Sequence, residues 1–337
     1  MNDIHKFPLV SIIIVAWNNK PYLANCLERL SAQTYDNFEV LIVDNNSADS
    51  LQGDLIADHP GLNLSISSAG TNLGFAIANN LGAQNAHGEW IVLLNADAYP
   101  ESDWLENLLK AAEKNPRYNF FSSRQIQYND PTLLDGAGDL FHVSGLAWRR
   151  FFNHAAKEYG FQQEEIFGAC AAAAMYRRVD FLKVGGFDED YFSYFEDVDL
   201  SFRLRLSGGR CLYVPSAVVY HVGSASTGKL SDFVVYHGHR NLVWTYLKDM
   251  PGWLFWFYLP LHLGMNAFFI ISFIFKGKGG AILKAKWDAI LGIRTFLKKR
   301  REVQAKRIVS IREVSRFMIK GILAPYWASR QRNRASK

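Results

Sequence analysis

The sequence predicts an α/β fold: a mixed, mainly parallel sheet flanked by helices, followed by a C-terminal region that turns apolar and then basic. Three observations carry this prediction. In the first hundred residues, β-branched apolar runs alternate with stretches of helical periodicity, as in βαβ units. Polar clusters sit just past the ends of those runs, where open parallel sheets bind ligands. Charge is also split along the chain. The net charge is +5 over 337 residues, yet residues 276–337 hold 18 of the 37 Lys/Arg and only 3 of the 32 Asp/Glu. That leaves +15 in this segment and −10 in residues 1–275, an acidic body with a basic tail.

Taken in order, Val10–Ala16 reads as a fully buried parallel strand, too short and too poorly flanked for a signal peptide. A helix follows over 21–32, with Pro21 suited to its first turn. Residues 38–43 form a strand that runs into Asp44-Asn45-Asn46-Ser47. Residues 51–59 read as a helix, 62–66 as a short strand and 74–86 as a helix. Residues 89–94 are a strand ending at Asn95-Ala96-Asp97, and the amphipathic 104–114 is a helix. Strands and loops are expected over 120–165, then a strand at 169–177 and a short helix at 180–184 broken by Gly185-Gly186. A helix at 197–207 and two strands, 210–214 and 217–221, complete this part.

Composition excludes several classes. With 49% apolar, 14% aromatic and 20% charged residues, the chain is neither disordered nor fibrous, and its length suggests about two domains. Cys26, Cys170 and Cys211 are odd in number and form no CxxC, which excludes a disulfide scaffold or zinc ribbon and fits a reducing compartment. No G-x-G-x-x-G follows the first strand, so a dinucleotide-dependent oxidoreductase is unsupported. Gly223–Lys229 has the spacing of a P-loop, but Leu230 stands where the Mg²⁺-binding hydroxyl belongs.

The chemistry-bearing candidates are carboxylates at strand ends, which cost solvation unless a cation or donor meets them. Asp97 suits a hard metal ion, with Asn95 supplying oxygen nearby. His221 also ends a strand and adds an imidazole nitrogen, which suits Mn²⁺ as well as Mg²⁺. Each alone has a plainer reading, Asp97 as a helix cap and His221 as a core histidine. Glu196, Asp197 and Asp199 open a helix, whose dipole favours anions, and Asp199 reads as a cap. A carboxylate crowded by others titrates high, as a general base should.

These pieces, in order, resemble the inverting nucleotide-sugar glycosyltransferases of family 2, which have the GT-A fold, and within them the rhamnosyltransferase-like branch. The match runs through Val10–Asn18, Val43–Ser47, Thr71–Ala76, Leu93–Asp97, Gly168-Ala169, Arg177-Arg178, Gly185–Glu189, Tyr194–Leu200 and His221. The resemblance implies that Asp44 reads the imide N–H of uracil or thymine, with Asn18 and Asn46 in the loops lining that pocket. It implies that Asn72 and Gly74 lie near the ribose and diphosphate. Asn95-Ala96-Asp97 stands at the family's D-x-D, with Asp97 and His221 as metal ligands for Mg²⁺ or Mn²⁺. Asp197 matches the catalytic base of the E-D pair formed with Glu196. Asn95 departs from the first Asp of the D-x-D, removing one charged ligand. The implied partners are a nucleoside-diphosphate sugar and a glycan or polyprenyl-linked acceptor of bacterial cell-surface glycan synthesis, met at a membrane surface.

Three arginines, Arg177, Arg178 and Arg240, are candidates for phosphate contact, Trp148 with Arg149-Arg150 for an acceptor loop, and Gly223–Lys229 for a lid. The expected division is a catalytic domain over 1–235 and a helical, membrane-associating region with its basic tail over 236–337. Residues 253–275 carry no formal charge and are long enough to span a bilayer. Pro260, His262, Gly264 and Asn266 leave a kinked span, a re-entrant segment, an interfacial helix and a buried aromatic helix all open. The basic stretch that follows favours the cytoplasmic face of the inner membrane. The competing reading is a nucleic-acid-binding protein that grips phosphates with Lys298-Lys299-Arg300-Arg301.

Overall fold

A computed structural model describes residues 9–49, 51, 54–223 and 230–327. The N-terminal half alternates as expected: β1 (Val10–Ala16), α1 (Lys20–Ser31), β2 (Phe38–Asp44), α2 (Asp54–Asp58), β3 (Leu64–Ser68), α3 (Gly74–Asn85), β4 (Trp90–Leu94), β5 (Ala98–Pro100) and α4 (Trp104–Lys114). The middle holds β6 (Phe120–Gln127), β7 (Leu134–Gly136), β8 (Asp139–His142), β9 (Ala147–Arg149), β10 (Glu164–Ile166) and β11 (Ala173–Arg177). Then come α5 (Arg178–Lys183), α6 (Glu196–Leu206) and β12 (Cys211–His221). The last part contains α7 (Asp232–Asp249), α8 (Gly252–Phe275), α9 (Gly279–Leu291), α10 (Ile293–Ala305), α11 (Ile311–Ser315) and β13 (Met318–Ile319).

The main sheet runs β10-β12-β6-β11-β4-β1-β2-β3, with β5 added to β12 and β7 to β6. Pairs β4-β1, β1-β2, β2-β3 and β6-β12 are parallel, and β11 runs antiparallel between β4 and β6. Strand alternation explains the two cores. Ile12 and Ile14 of β1 face one side with Val40, Ile42 and the α1 stripe Leu23, Cys26, Leu27 and Leu30. Ile13, Leu41, Ile91 and Leu93 face the other, beneath α3 and α6. Both faces are thereby covered, and the parallel strands read as continuous apolar runs for that reason.

Two expected elements differ. The strands expected at 210–214 and 217–221 are one strand, β12, whose register shifts between Val214 and Val218. Pro215, which lacks an N–H, falls in that break. The strand expected from residue 169 begins at Ala173, and the backbone before it serves the site below. For the helix expected at 51–59, residues 54–58 are helical and 52–53 lie outside the described residues.

The C-terminal helices are packed into the body. Tyr191 and Phe202 share a core with Trp244, Tyr246 and Phe296, and β13 pairs in parallel with β8. The line between residues 235 and 236 therefore falls inside α7. Part of the basic tail is neutralised here. Lys299 pairs with Asp188 and Asp190, and Arg300 donates to the carbonyls of Leu247 and Met250. Asp199, expected as a cap, is instead fully buried and ion-paired with Arg203 (2.7 Å) and Lys248 (2.5 Å).

Candidate active site at the sheet edge

Parallel strands β1, β2 and β4 end on the same edge, and the turns after them hold one another. Asn18 and Asn46 adopt left-handed backbone, φ 52° and 68°. The Asn18 side chain accepts from Ala48 N (2.8 Å), and Asp44 Oδ1 accepts from Ser47 N (2.9 Å). Buried Asn45 ties this corner to the next loop, donating to Asn72 Oδ1 (2.9 Å) and accepting from Leu73 N (2.8 Å). Asn72 Oδ1 also accepts from Gly74 N (3.0 Å), at φ +80°. A Cβ on Gly74 would lie 2.6 Å from the Phe192 carbonyl oxygen, so only glycine fits there. The expected residues Asn18, Asp44, Asn46, Asn72 and Gly74 thus share one linked group of loops.

Asp97, past β4, meets His221, at the end of β12. Pairing of β5 with β12 sets His221 opposite Ala98. Asp97 Oδ1 and His221 Nε2 are 3.3 Å apart, and Asn95 Nδ2 lies 3.4 Å from the same nitrogen. The other ring nitrogen lies 2.7 Å from Asp135 Oδ2, which also receives Arg149. Burial opposes charge on His221, but hydrogen bonds to Asp135 and Asp97 outweigh it and lift the imidazole to about 9. Burial likewise opposes charge on both carboxylates. His221 still holds Asp97 below the usual range, and Arg149 with His221 brings Asp135 to about 2.

A second group lies within reach of the Arg149 charge. Asp139, Cys170 and Asp197 bring a ligand atom each within 4.8 Å of one another. Asp197 accepts from Ala171 N (3.2 Å) and Val198 N (2.8 Å). Asp139 is buried, and its Oδ2 has no hydrogen-bond partner among the described residues. Burial and the Asp197 charge push Asp139 well above the usual range. Asp197 is also raised by burial, against backbone N–H groups and Arg149 that favour its ionised form. Glu196 is buried with an Oε2 that has no hydrogen-bond partner among the described residues, and burial and the Asp197 charge raise it well above the usual range. Burial keeps the Cys170 thiol neutral, up to about 12, which makes this group a poor seat for a hard cation beside a guanidinium. Asp97 with His221 offers oxygen and imidazole nitrogen, a donor pair that fits Mg²⁺ or Mn²⁺. The hydrogen-bonded far nitrogen of His221 is the usual way such a ligand is oriented.

The chain approaches Glu196-Asp197 through Phe192, Tyr194 and Phe195, all at φ 65–68°. Such residues persist only where the surroundings hold them. Here Asn241 Nδ2 lies 2.7–3.0 Å from the carbonyls of Tyr191, Ser193 and Tyr194.

Sequence reasoning missed Asp135, Asp139, Cys170 and Asn241. The run Asp135-Gly-Ala-Gly-Asp139, two carboxylates around a glycine turn, was the available signal. Other expectations fall away. Arg177 pairs with Trp90 at the start of β4, so it and Arg178 lie at the opposite sheet edge. Arg240 is spent on the carbonyls of Asp190 and Tyr191 and on the Trp244 ring. Of the acceptor-loop candidates, Arg149 joins the site, while Arg150 pairs with Glu164 and Trp148 packs near His142. In the lid candidate Gly223–Lys229, residues 224–229 lie outside the described residues.

Comparison with known proteins identifies the family and the fold. The Glycosyl transferase family 2 profile matches residues 11–185. The chain is 30% identical over 276 residues to the N-acetylglucosaminyl-diphospho-decaprenol L-rhamnosyltransferase of Mycobacterium tuberculosis, covering 73% of this chain and 86% of that protein. It is 30% identical to the rhamnosyltransferase WbbL of Escherichia coli K12 over 63% of this chain and 83% of that one. The mannosyltransferase PcManGT of Pyrobaculum calidifontis, solved with GDP-Man and Mn²⁺, shares the fold at 18% identity and a TM-score of 0.52, covering 91% and 88% of the two chains. No comparison supports nucleic-acid binding. With a sheet, strand-end loops and family profile in agreement, the chain belongs to the family 2 glycosyltransferases and is a glycosyltransferase of GT-A fold.

Proposed function

We propose that this protein transfers a sugar, rhamnose in the first instance, from a nucleoside-diphosphate donor to a polyprenyl-linked acceptor, with inversion. The observation that carries the reading is that Arg149 serves two groups: it pairs with Asp135 of Asp97–His221–Asp135, and its charge acts on Asp197 and Asp139. Likeness to two rhamnosyltransferases, one named for a decaprenol-linked substrate, supports the sugar and the acceptor class.

In this mechanism Asp44 with Asn18 and Asn46 holds the nucleobase, and Asn72, Gly74 and Asn95 line the path to the diphosphate. Asp97 and His221 would hold Mg²⁺ or Mn²⁺, which would offset charge developing on the leaving diphosphate. Asp197, ionised, takes the proton of the acceptor hydroxyl as its oxygen attacks the anomeric carbon. The C–O bond to the diphosphate breaks in the same displacement. Glu196 stays neutral behind it. Residues 1–235 carry this chemistry, and residues 236–337 associate with the cytoplasmic face of the membrane that holds the acceptor.

Incubation with dTDP-rhamnose, then with a panel of UDP- and GDP-sugars, reads donor use as release of nucleoside diphosphate. An Asp197→Asn variant is expected to lose about 100-fold or more in turnover. Full turnover by that variant overturns the assignment of the base, and failure of every donor overturns the transfer reading.

A further inference from the structure

We propose that α8 and α9 seat the protein on the surface of an anionic bilayer, with α8 lying in the plane of the interface rather than crossing it. The proposal deepens the lipid-linked reading above, but its evidence is separate.

The 24 residues of α8 divide into two faces. The exposed face steps through Trp253, Trp256, Leu263, Phe268, Ile271 and Phe275, each at least 57% exposed. These positions recur at the helical period from the first turn to the last, a length of about 36 Å at 1.5 Å per residue. The opposite face is buried over the same length, at Leu254, Phe255, His262, Asn266 and Phe273. That inner face is partly polar. His262 Nδ1 lies 2.8 Å from the Ser144 carbonyl, and its ring stacks on Tyr246 at 3.9 Å. Asn266 Oδ1 receives Lys286 of α9 at 2.6 Å.

Length and hydropathy alone allow α8 to span. The docking does not. A crossing helix would carry into the hydrocarbon everything packed along it, including α7, α9 and the His262–Asn266–Lys286 group. Only the outer half of α8 is free to meet lipid, which is the arrangement of an interfacial helix sunk roughly 5–10 Å.

The patch continues onto α9, where Leu283, Trp287, Ile290 and Leu291 are exposed. Exposed apolar areas of this extent mark interaction sites on soluble domains. The occupant is indicated by what surrounds it. Lys276, just past the end of α8, and Lys284 of α9 are exposed, as are Arg294, Lys298 and Arg301 of α10. Trp253, Trp256 and Trp287 supply rings suited to the headgroup layer. An apolar stripe rimmed by cations fits an anionic lipid surface, where basic residues add to burial.

The test uses the full chain and vesicles of phosphatidylethanolamine with phosphatidylglycerol, beside vesicles of phosphatidylcholine alone. Flotation with the anionic vesicles is expected, and a Trp256→Glu/Phe268→Glu variant should lose about tenfold or more in bound fraction. Donor hydrolysis in solution should be unchanged in that variant, so loss of binding and failure of the transferase reading are read separately. Orientation is read by labelling. The three native cysteines are buried, so Trp253→Cys and Lys276→Cys can each be probed with an impermeant maleimide outside the vesicles. Labelling of both ends from outside supports the in-plane seat. Protection of one end means that α8 crosses, and overturns it. Absence of flotation, or a dimer in vesicle-free buffer that the glutamate variant disperses, also overturns it by making the patch a protein interface.

Discussion

Arg149 is the residue on which the two centres meet. It pairs with Asp135, which orients His221, and it lies close enough to favour the ionised form of Asp197. Arg149→Met should therefore move the acidic limb of the kcat/KM pH profile upward, because Asp197 loses the charge that opposes its burial. An unmoved limb would mean that Asp197 is not the group the profile reports. Asp135→Asn should weaken Mn²⁺ binding about 10–100-fold by calorimetry, since the far nitrogen of His221 loses its carboxylate. Much of this scale was legible in the sequence: Asp97 and His221, 124 residues apart by number, were expected together and are. Asp135 and Asp139 were not, and Arg149 was expected only in an acceptor loop, because all three act through strands of three or four residues whose pairing has no periodic signature.

Among the elements, α7 shows why the C-terminal half was harder to read. It buries Arg240, Asn241, Lys248 and Asp249, so polar residues stand where an amphipathic pattern would put apolar ones. Arg240, Asn241 and Lys248 have partners that only the fold supplies, such as the carbonyls before α6 for Asn241 and Asp188 with Asp199 for Lys248. Strands β1, β2 and β4 had the reverse character, with burial on both faces written as continuous apolar runs. A pH test belongs here too. Lys286 donates to the His239 carbonyl and Asn266, yet burial lowers its pKa to about 7 from 10.5. From pH 7 to 10.5 the unfolded chain binds more protons at this site, so its contribution to stability rises across that window and is lost as pH falls through 7. Urea melts should show the wild type gaining on Lys286→Met as pH is raised; a constant difference would refute the burial of a charged lysine.

At the scale of the whole molecule, the described residues of the acidic body and of the basic tail pack against each other. Lys248 and Lys299 converge on Asp188, and Tyr191 and Phe202 complete their core with Trp244 and Phe296. A chain ending at residue 235 should therefore fail to fold cooperatively, losing the packing behind α6 and leaving Asp188 and Asp199 buried without their lysines. Circular dichroism melts decide it, and a sharp transition at the full-length temperature would show that the first 235 residues suffice. The charge split seen in the sequence thus marks complementary halves of an interface as much as a functional division.

The exposed apolar stripe of α8 also bears on how the enzyme, if seated as proposed, would meet a lipid-linked acceptor. A protein held by this 24-residue helix, as proposed, would diffuse with the lipid leaflet and search in two dimensions. Its rate then follows the mole fraction of acceptor in the bilayer. Dilution with inert lipid slows it, while adding more vesicles of the same composition does not.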